Sequence, residues 1–294
     1  MPDDLIAISS GELSARINPL GAELWSLTDA AGSQYMTDAD PAFWTGHAPV
    51  LFPIVGALNG DHLRIDGREL AMGKHGFARR SAFEVVAAEG DRATFRLCDS
   101  AATRLAYPFD FVLEMALVVE GATLRMTATV ANPGARDLPF SFGFHPAFAW
   151  PLPGGAEKAA HRIEFAEAEP QPIRRIDPPS GLVLQQNFAS PVQGRTLKPD
   201  PALFEPDAVI WDSLHSRALS FGADGGSWLD IAFPDTPMLG IWQKPGAAYL
   251  CIEPWAGIAD PVGFAGDFRD KPGVMMLPPG KSRSFRMDVT VRGG

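Results

Sequence analysis

Cysteine is nearly absent: Cys98 and Cys251 are the only two in 294 residues. That excludes a disulfide framework and any zinc knuckle built on paired thiols, and it fits a reducing compartment, with a single Cys98–Cys251 bridge the one cross-link left open. No apolar run approaches the ~18 residues that a membrane-spanning helix needs. The start, Met1-Pro2-Asp3-Asp4, carries neither the basic nor the apolar segment of a secretory leader, so we expect a cytoplasmic protein. Basic residues are in deficit, with 25 Lys and Arg against 35 Asp and Glu and a net charge of −10. An acidic chain repels phosphate backbones. Its densest cationic group, Lys74, Arg79 and Arg80, is too small to track one, so nucleic acid is excluded as a partner. Metal spacing is missing too. There is no His-x-His and no His-Glu-x-x-His, and His47, His62, His161 and His215 stand unpaired. Neither a Gly-x-Ser-x-Gly elbow nor a glycine-rich phosphate loop occurs. The expectation is therefore no metal and no cofactor.

What the chain does have is apolar bulk in alternation. Hydrophobic residues make up 46% and charged residues 20%, enough for a sizeable core. Leu13–Ile17, Ala93–Leu97, Phe109–Leu117, Leu124–Val130 and Phe285–Val291 alternate apolar with polar, and Ala22–Leu27 does so more loosely. Alternation puts one apolar face on a strand. Helical spacing is scarce: Ala101–Leu105 predicts one turn, stopped by Tyr107-Pro108. The 29 glycines and 27 prolines are scattered, not gathered in a linker. Many short strands joined by turns predict an all-β antiparallel β-sandwich forming a single domain over 1–294. The stretch 151–201, rich in Pro, Gly and Gln, predicts a long irregular excursion within it.

Three segments carry candidate chemistry. Cys251-Ile252-Glu253-Pro254-Trp255-Ala256-Gly257 places a carboxylate at the expected end of a strand-like run over Ala247–Ile252, beside an aromatic wall. A carboxylate in such surroundings either has a partner or serves as a general base. Lys74-His75-Gly76-Phe77 sets His75 where the flanking glycines let the backbone bend sharply; the alternative is a solvated turn histidine. Gly143-Phe144-His145-Pro146 sets His145 in an aromatic run; the alternative is a satisfied core residue. Pro146 biases His145 to extended backbone at a strand end, where side chains reach clefts. A carboxylate and an imidazolium both stay charged near neutral pH if each stabilises the other. Asp207 by itself reads first as a turn aspartate before a strand. Trp44, Trp242 and Trp255 fill core or offer flat faces to a sugar ring.

Taken in order, Leu51-Phe52-Pro53-Ile54-Val55-Gly56, Lys74-His75-Gly76-Phe77-Ala78-Arg79, Tyr107-Pro108-Phe109-Asp110-Phe111, Gly143-Phe144-His145-Pro146-Ala147-Phe148, Pro206-Asp207-Ala208-Val209-Ile210 and Leu239-Gly240-Ile241-Trp242, leading into Cys251–Gly257, span nearly the whole chain. The set resembles the aldose 1-epimerase (galactose mutarotase-like) family, particularly its LacX-like branch. The resemblance implies a large antiparallel supersandwich with the sugar in a cleft on one sheet. It also implies cofactor-free interconversion of α and β anomers by ring opening at C1. It makes Glu253 the base at the C1 hydroxyl, His145 the acid at the ring oxygen and His75 a hydrogen-bonding partner near that oxygen. Asp207 then holds ring hydroxyls, and Trp242 and Trp255 complete the substrate-binding wall. The family pattern has an arginine after the Pro-x-x-Gly turn. This chain has Ala57, which leaves Arg79 and Asn59 as replacements. Two other readings stand beside the isomerase: a non-catalytic sugar-binding protein on the same fold, and a metal enzyme using His75, His145 and Glu253 as ligands.

Overall fold

Period-two alternation becomes strand wherever one face can be buried, and here it builds a wide antiparallel sheet. The computed structural model describes residues 4–293. Nine strands form the larger sheet, in the order Thr196–Leu197, Arg162–Phe165, Ala218–Gly222, Trp228–Ala232, Ser282–Arg292, Thr123–Ala131, Val112–Glu120, Arg92–Cys98 and Glu84–Glu89. Its central pair runs in register from Thr123 opposite Thr290 to Ala131 opposite Ser282. Leu124, Met126, Ala128 and Val130 point inward, as do Phe285, Met287, Val289 and Val291 of the neighbouring strand.

The smaller sheet orders Val209–Trp211, Met238–Trp242, Tyr249–Ala256, Phe142–Phe144 and Val50–Leu51, with Ala147–Ala149 also pairing with Tyr249–Ala256. The two sheets meet face to face. Phe142 of the smaller sheet stacks on Phe285 of the larger with centroids 4.9 Å apart, and Trp211 meets Phe165 at 5.6 Å. The expected all-β antiparallel sandwich is thus the observed architecture. A third sheet, Ile6–Ser9, Leu13–Asn18 and Glu23–Asp29, lies beside them. The expected helical turn is Ala101–Ala106. Ser100 caps it by accepting from the Thr103 N–H at 3.2 Å.

Three boundaries differ from expectation. The Phe109–Leu117 run starts as strand only at Val112, because Phe109 N–H closes a turn onto Tyr107 O just after Pro108. The Glu253 strand does not end there but continues to Ala256. Pro254 is tolerated because the strand on that side is interrupted: Gly143 pairs with Trp255 and Ala147 with Cys251, leaving His145-Pro146 in the gap. Finally, 151–201 is more regular than expected. Arg162–Phe165 and Thr196–Leu197 join the larger sheet, and Ile176–Asp177 pairs with Leu182–Val183 as a small hairpin. Cys98 and Cys251 are both free thiols, the first exposed and the second buried. Among the described residues, no helix is long and apolar enough to cross a membrane.

Phe285→Ala removes the ring that joins the two sheets. Chemical denaturation should show a loss of about 3–5 kcal/mol, the usual cost of deleting a buried phenyl ring.

Candidate active site

The Tyr249–Ala256 strand is buried along its whole length. Leu250, Ile252 and Ala256 face the sandwich core. Alternation therefore turns Tyr249, Cys251, Glu253 and Trp255 to the other face, and neighbouring strands add Ala208, Ile210, Gly240, Trp242, Gly143 and Leu51 to it. A cavity of about 260 Å³ opens on this face. Trp44, His75, His145, Asp207, Trp242, Glu253 and Trp255 line it, together with Lys74 and Arg79.

Trp255 forms the floor. Its indole lies across the two adjacent strands where both carry glycine. A β-carbon on Gly240 would stand 2.5 Å from Trp255 Cη2, and one on Gly143 would stand 2.6 Å from Cδ1. Trp44 stacks on the His145 ring at 5.0 Å and meets Trp242 edge-on at 5.8 Å, which closes the opposite side.

The three acid–base candidates converge. His145 Nε2 stands 3.2 Å from Glu253 Oε2, and the His75 and His145 rings meet edge-on at 5.5 Å. Glu253 is 1% exposed, His145 7% and His75 6%. The His145–Glu253 approach is not aligned as a hydrogen bond. Glu253 Oε2, His145 Nδ1 and Trp255 Nε1 have no hydrogen-bond partner among the described residues. Buried polar atoms are normally paired, so unpaired ones facing a cavity point to a ligand that completes them.

Charge in this site is set by burial. Desolvation pushes Glu253 well above the usual carboxylate range. The Lys74 ammonium pulls back against that, while the Asp207 carboxylate adds to it. Desolvation likewise drops His145 to about 3, with the Lys74 and Arg79 charges in the same direction. Burial thus works against charge on both members of the couple, because two ions are costly where water is excluded.

His75 is held neutral by a different device. Its Nδ1 accepts from Gly56 N–H at 3.1 Å, and its own backbone N–H donates to Gly56 O at 2.8 Å. An accepting Nδ1 leaves Nε2–H as the donor. Burial lowers its pKa well below the ordinary histidine value, and the His145, Lys74 and Arg79 charges act in the same direction. The backbone at His75 has φ +68° and at Gly76 φ +71°, and a β-carbon on Gly76 would stand 2.3 Å from Phe52 O. The flanking glycine thus permits the sharp bend that presents His75.

Asp207 reaches the cavity from the turn before Val209–Trp211, at φ +72°, and its Oδ1 accepts from Ala208 N–H at 2.6 Å. Arg175 braces that turn, its Nη1 donating to Asp207 O at 3.1 Å and Leu203 O at 2.8 Å. Arg79 lines the cavity and its buried Nε has no hydrogen-bond partner among the described residues.

Asn59 does not belong to the site. Its Nδ2 donates to Phe264 O at 2.8 Å and its backbone N–H to Asp260 Oδ2 at 2.9 Å, so the side chain serves a neighbouring turn. Behind that turn Lys271 Nζ lies 3.3 Å from Asp260 Oδ1, both fully buried. Ala57 is buried as well. A β-carbon on Gly181 would stand 3.2 Å from Ala57 Cβ, so the Ile176–Val183 hairpin occupies the space a long side chain at position 57 would need. Ile176 and Gly181 line the cavity there, beside Ala208, Ile210 and Ala259. Sequence reasoning missed these apolar wall residues and the role of Lys74. Motifs flag polar side chains, while a wall of small apolar residues has no local signature. The metal reading does not hold as framed. Among the described residues, the donor cluster near the cavity is His145, Cys251 and Glu253, without His75.

Comparison with known proteins bears on the family and the fold. A family model described as aldose 1-epimerase matches residues 4–290. Two LacX proteins of Lactococcus lactis subsp. lactis, one chromosomal and one plasmid-borne, are each 30% identical over 295 aligned residues, covering 97% of this chain and 99% of theirs. The crystal structure of a galactose mutarotase related enzyme from Lactobacillus acidophilus is 30% identical and superposes with a TM-score of 0.91 over 99% of this chain and 98% of that one. A galactose mutarotase-like protein from Lactobacillus casei gives 0.91 at 27% identity, over 98% and 100%. Galactose 1-epimerase from Lactobacillus acidophilus shares the fold, with a TM-score of 0.72 at 13% identity over 99% and 96%.

Gly240→Ala should tilt Trp255 while leaving the sheets intact. We expect an altered near-ultraviolet circular dichroism signal with an unchanged far-ultraviolet spectrum.

Proposed function

We propose that this chain, which belongs to the aldose 1-epimerase family, is a cofactor-independent mutarotase that interconverts the α and β anomers of a free hexose or related aldose. The observation that carries the reading is the unpaired His145–Glu253 couple, 3.2 Å apart, in a cavity walled by Trp44, Trp242 and Trp255. A pyranose lies against the indole faces with its C–H surface, and Asp207 accepts hydrogen bonds from ring hydroxyls. Glu253 faces the C1 hydroxyl, and His145 faces the ring oxygen O5, with the His75 Nε2–H as an added donor.

Ring opening is then a proton relay with no net change. The bound hemiacetal donates its O1–H to the Glu253 carboxylate, which favours shifting the pair's single proton onto His145. As the C1–O5 bond breaks, Glu253 takes the O1 proton and His145 delivers its proton to O5. The products are an open-chain aldehyde, a neutral imidazole and a carboxylic acid. That is the protonation state burial already favours. The desolvated site therefore favours the proton distribution that ring opening leaves over the charged pair that precedes it. Rotation about C1–C2 and the reverse relay close the ring on its other face. No stronger chemistry is required, since each positioned acid or base contributes about 10²–10⁴-fold.

Polarimetry on a panel of free aldoses tests this directly. Glu253→Gln or His145→Ala should lower the catalysed rate by about 10²–10⁴-fold with an unchanged circular dichroism spectrum; wild-type rates in both variants would falsify the mechanism. The buried Ala57 favours one competing reading, a sugar-binding protein without catalysis. It predicts calorimetric binding of an aldose with no rate above buffer.

The pH profile follows from the proton count. The pair works with one proton. As pH falls through about 3, His145 takes a second and no base remains; as pH rises through the elevated Glu253 value, the pair loses its only proton. The acid limb of kcat/KM should therefore lie well below the ordinary histidine value of 6.5. An acid limb near 6.5 would show that burial does not govern His145.

A further inference from the structure

Cys251 is a buried nucleophile beside the site that the proposed chemistry leaves unused. It precedes Glu253 by two residues on the same strand face, has 0% exposure and forms no disulfide. Donor atoms of His145, Cys251 and Glu253 all lie within 4.8 Å of one another. Zinc binds nitrogen, oxygen and sulfur at about 2.0–2.3 Å, which sets tetrahedral donors roughly 3.5 Å apart. The imidazole–carboxylate edge, at 3.2 Å, already has that spacing. The thiol completes the triangle with a shift of about 1.3 Å at most, the difference between the 4.8 Å limit and that tetrahedral separation. Glu253 Oε2 has no hydrogen bond to lose among the described residues, although it is buried. His145 and Glu253 both face the cavity, so an ion has a way in and an open position toward it.

We propose that His145, Cys251 and Glu253 form a binding site for a thiophilic divalent cation of the zinc type, and that its occupation switches the acid–base couple off. The thiol proton and the single proton of the His145–Glu253 pair both leave to solvent as the metal binds. The imidazole then supplies a lone pair and the carboxylate an oxygen. Sulfur and nitrogen donors select zinc-like ions over magnesium or calcium, which prefer all-oxygen sites. The metal occupies the same nitrogen and oxygen that the relay uses, so sugar and metal compete. The binding half stands on the donor geometry; the inhibitory half rests on the mutarotase reading.

The test uses the full chain carrying Cys98→Ser, which removes the exposed thiol. Titration with cobalt(II) in chelator-free buffer should give one equivalent bound, with a thiolate-to-cobalt charge-transfer band that zinc then displaces. Cys251→Ala should abolish the band. Glu253→Gln, which keeps the thiol, should weaken binding at least tenfold, and circular dichroism checks that both variants are folded. No band in the parent, or a band that survives Cys251→Ala, overturns the site. Saturating zinc should slow catalysed mutarotation at least tenfold, with EDTA restoring it; full activity with one zinc bound overturns the inhibitory role. A chain with no catalysed rate before any metal is added counts against the mutarotase reading, while the cobalt spectrum still judges the site.

Discussion

A strand buried on both faces cannot carry an ionisable side chain without compensation, and the Tyr249–Ala256 strand carries Glu253. The rest of the site answers that constraint. The adjacent strand breaks at His145-Pro146, which both accommodates Pro254 and sets an imidazole 3.2 Å from the carboxyl group. Glycine at positions 143 and 240 lets one indole lie over two strands. Without those openings the face would pack solid, and the carboxyl group would be an unpaired cost of several kcal/mol instead of a reagent.

Electrostatics and geometry agree on the kind of chemistry such a site suits. Burial works against charge on both members of the couple, His75 is fixed as a donor by a backbone N–H, and the Lys74 charge moderates how far Glu253 is shifted. Groups held in this way need little rearrangement as charge moves, which is where an enclosed site gains over water. Redistribution of protons between two oxygens of one molecule asks for just this, and the indole walls suit the apolar face of a sugar ring.

How much of this was legible in the chain depends on which sheet a residue occupies. The larger sheet has one covered and one solvated face, so Leu124–Val130 and Phe285–Val291 advertise themselves by alternation. The smaller sheet is covered on both sides. Tyr249–Ala256 and Phe140–Phe148 therefore read as continuous apolar runs, and Pro254 looked like a terminus when it marks a gap in the partner strand. Glu253, His145, His75, Asp207, Arg79, Trp242 and Trp255 were identifiable, since each sits in a distinctive local motif, and all line one cavity. Asn59 was not, because its neighbours in sequence are near the cavity while its amide is committed to Phe264 O. A motif shows which groups meet, not how completely water is shut out, so the direction in which burial moves Glu253 and His145 is legible only in the fold.

The end of the cavity at Gly181 is formed by a surface hairpin that rests on Ala57 and joins Asp260 and Val262 through backbone hydrogen bonds at Val183. Proton transfer and the shape of the far wall thus reside on separate stretches of polypeptide. A change in this loop would therefore alter the outline of the hollow and the molecules it admits without displacing His145 or Glu253.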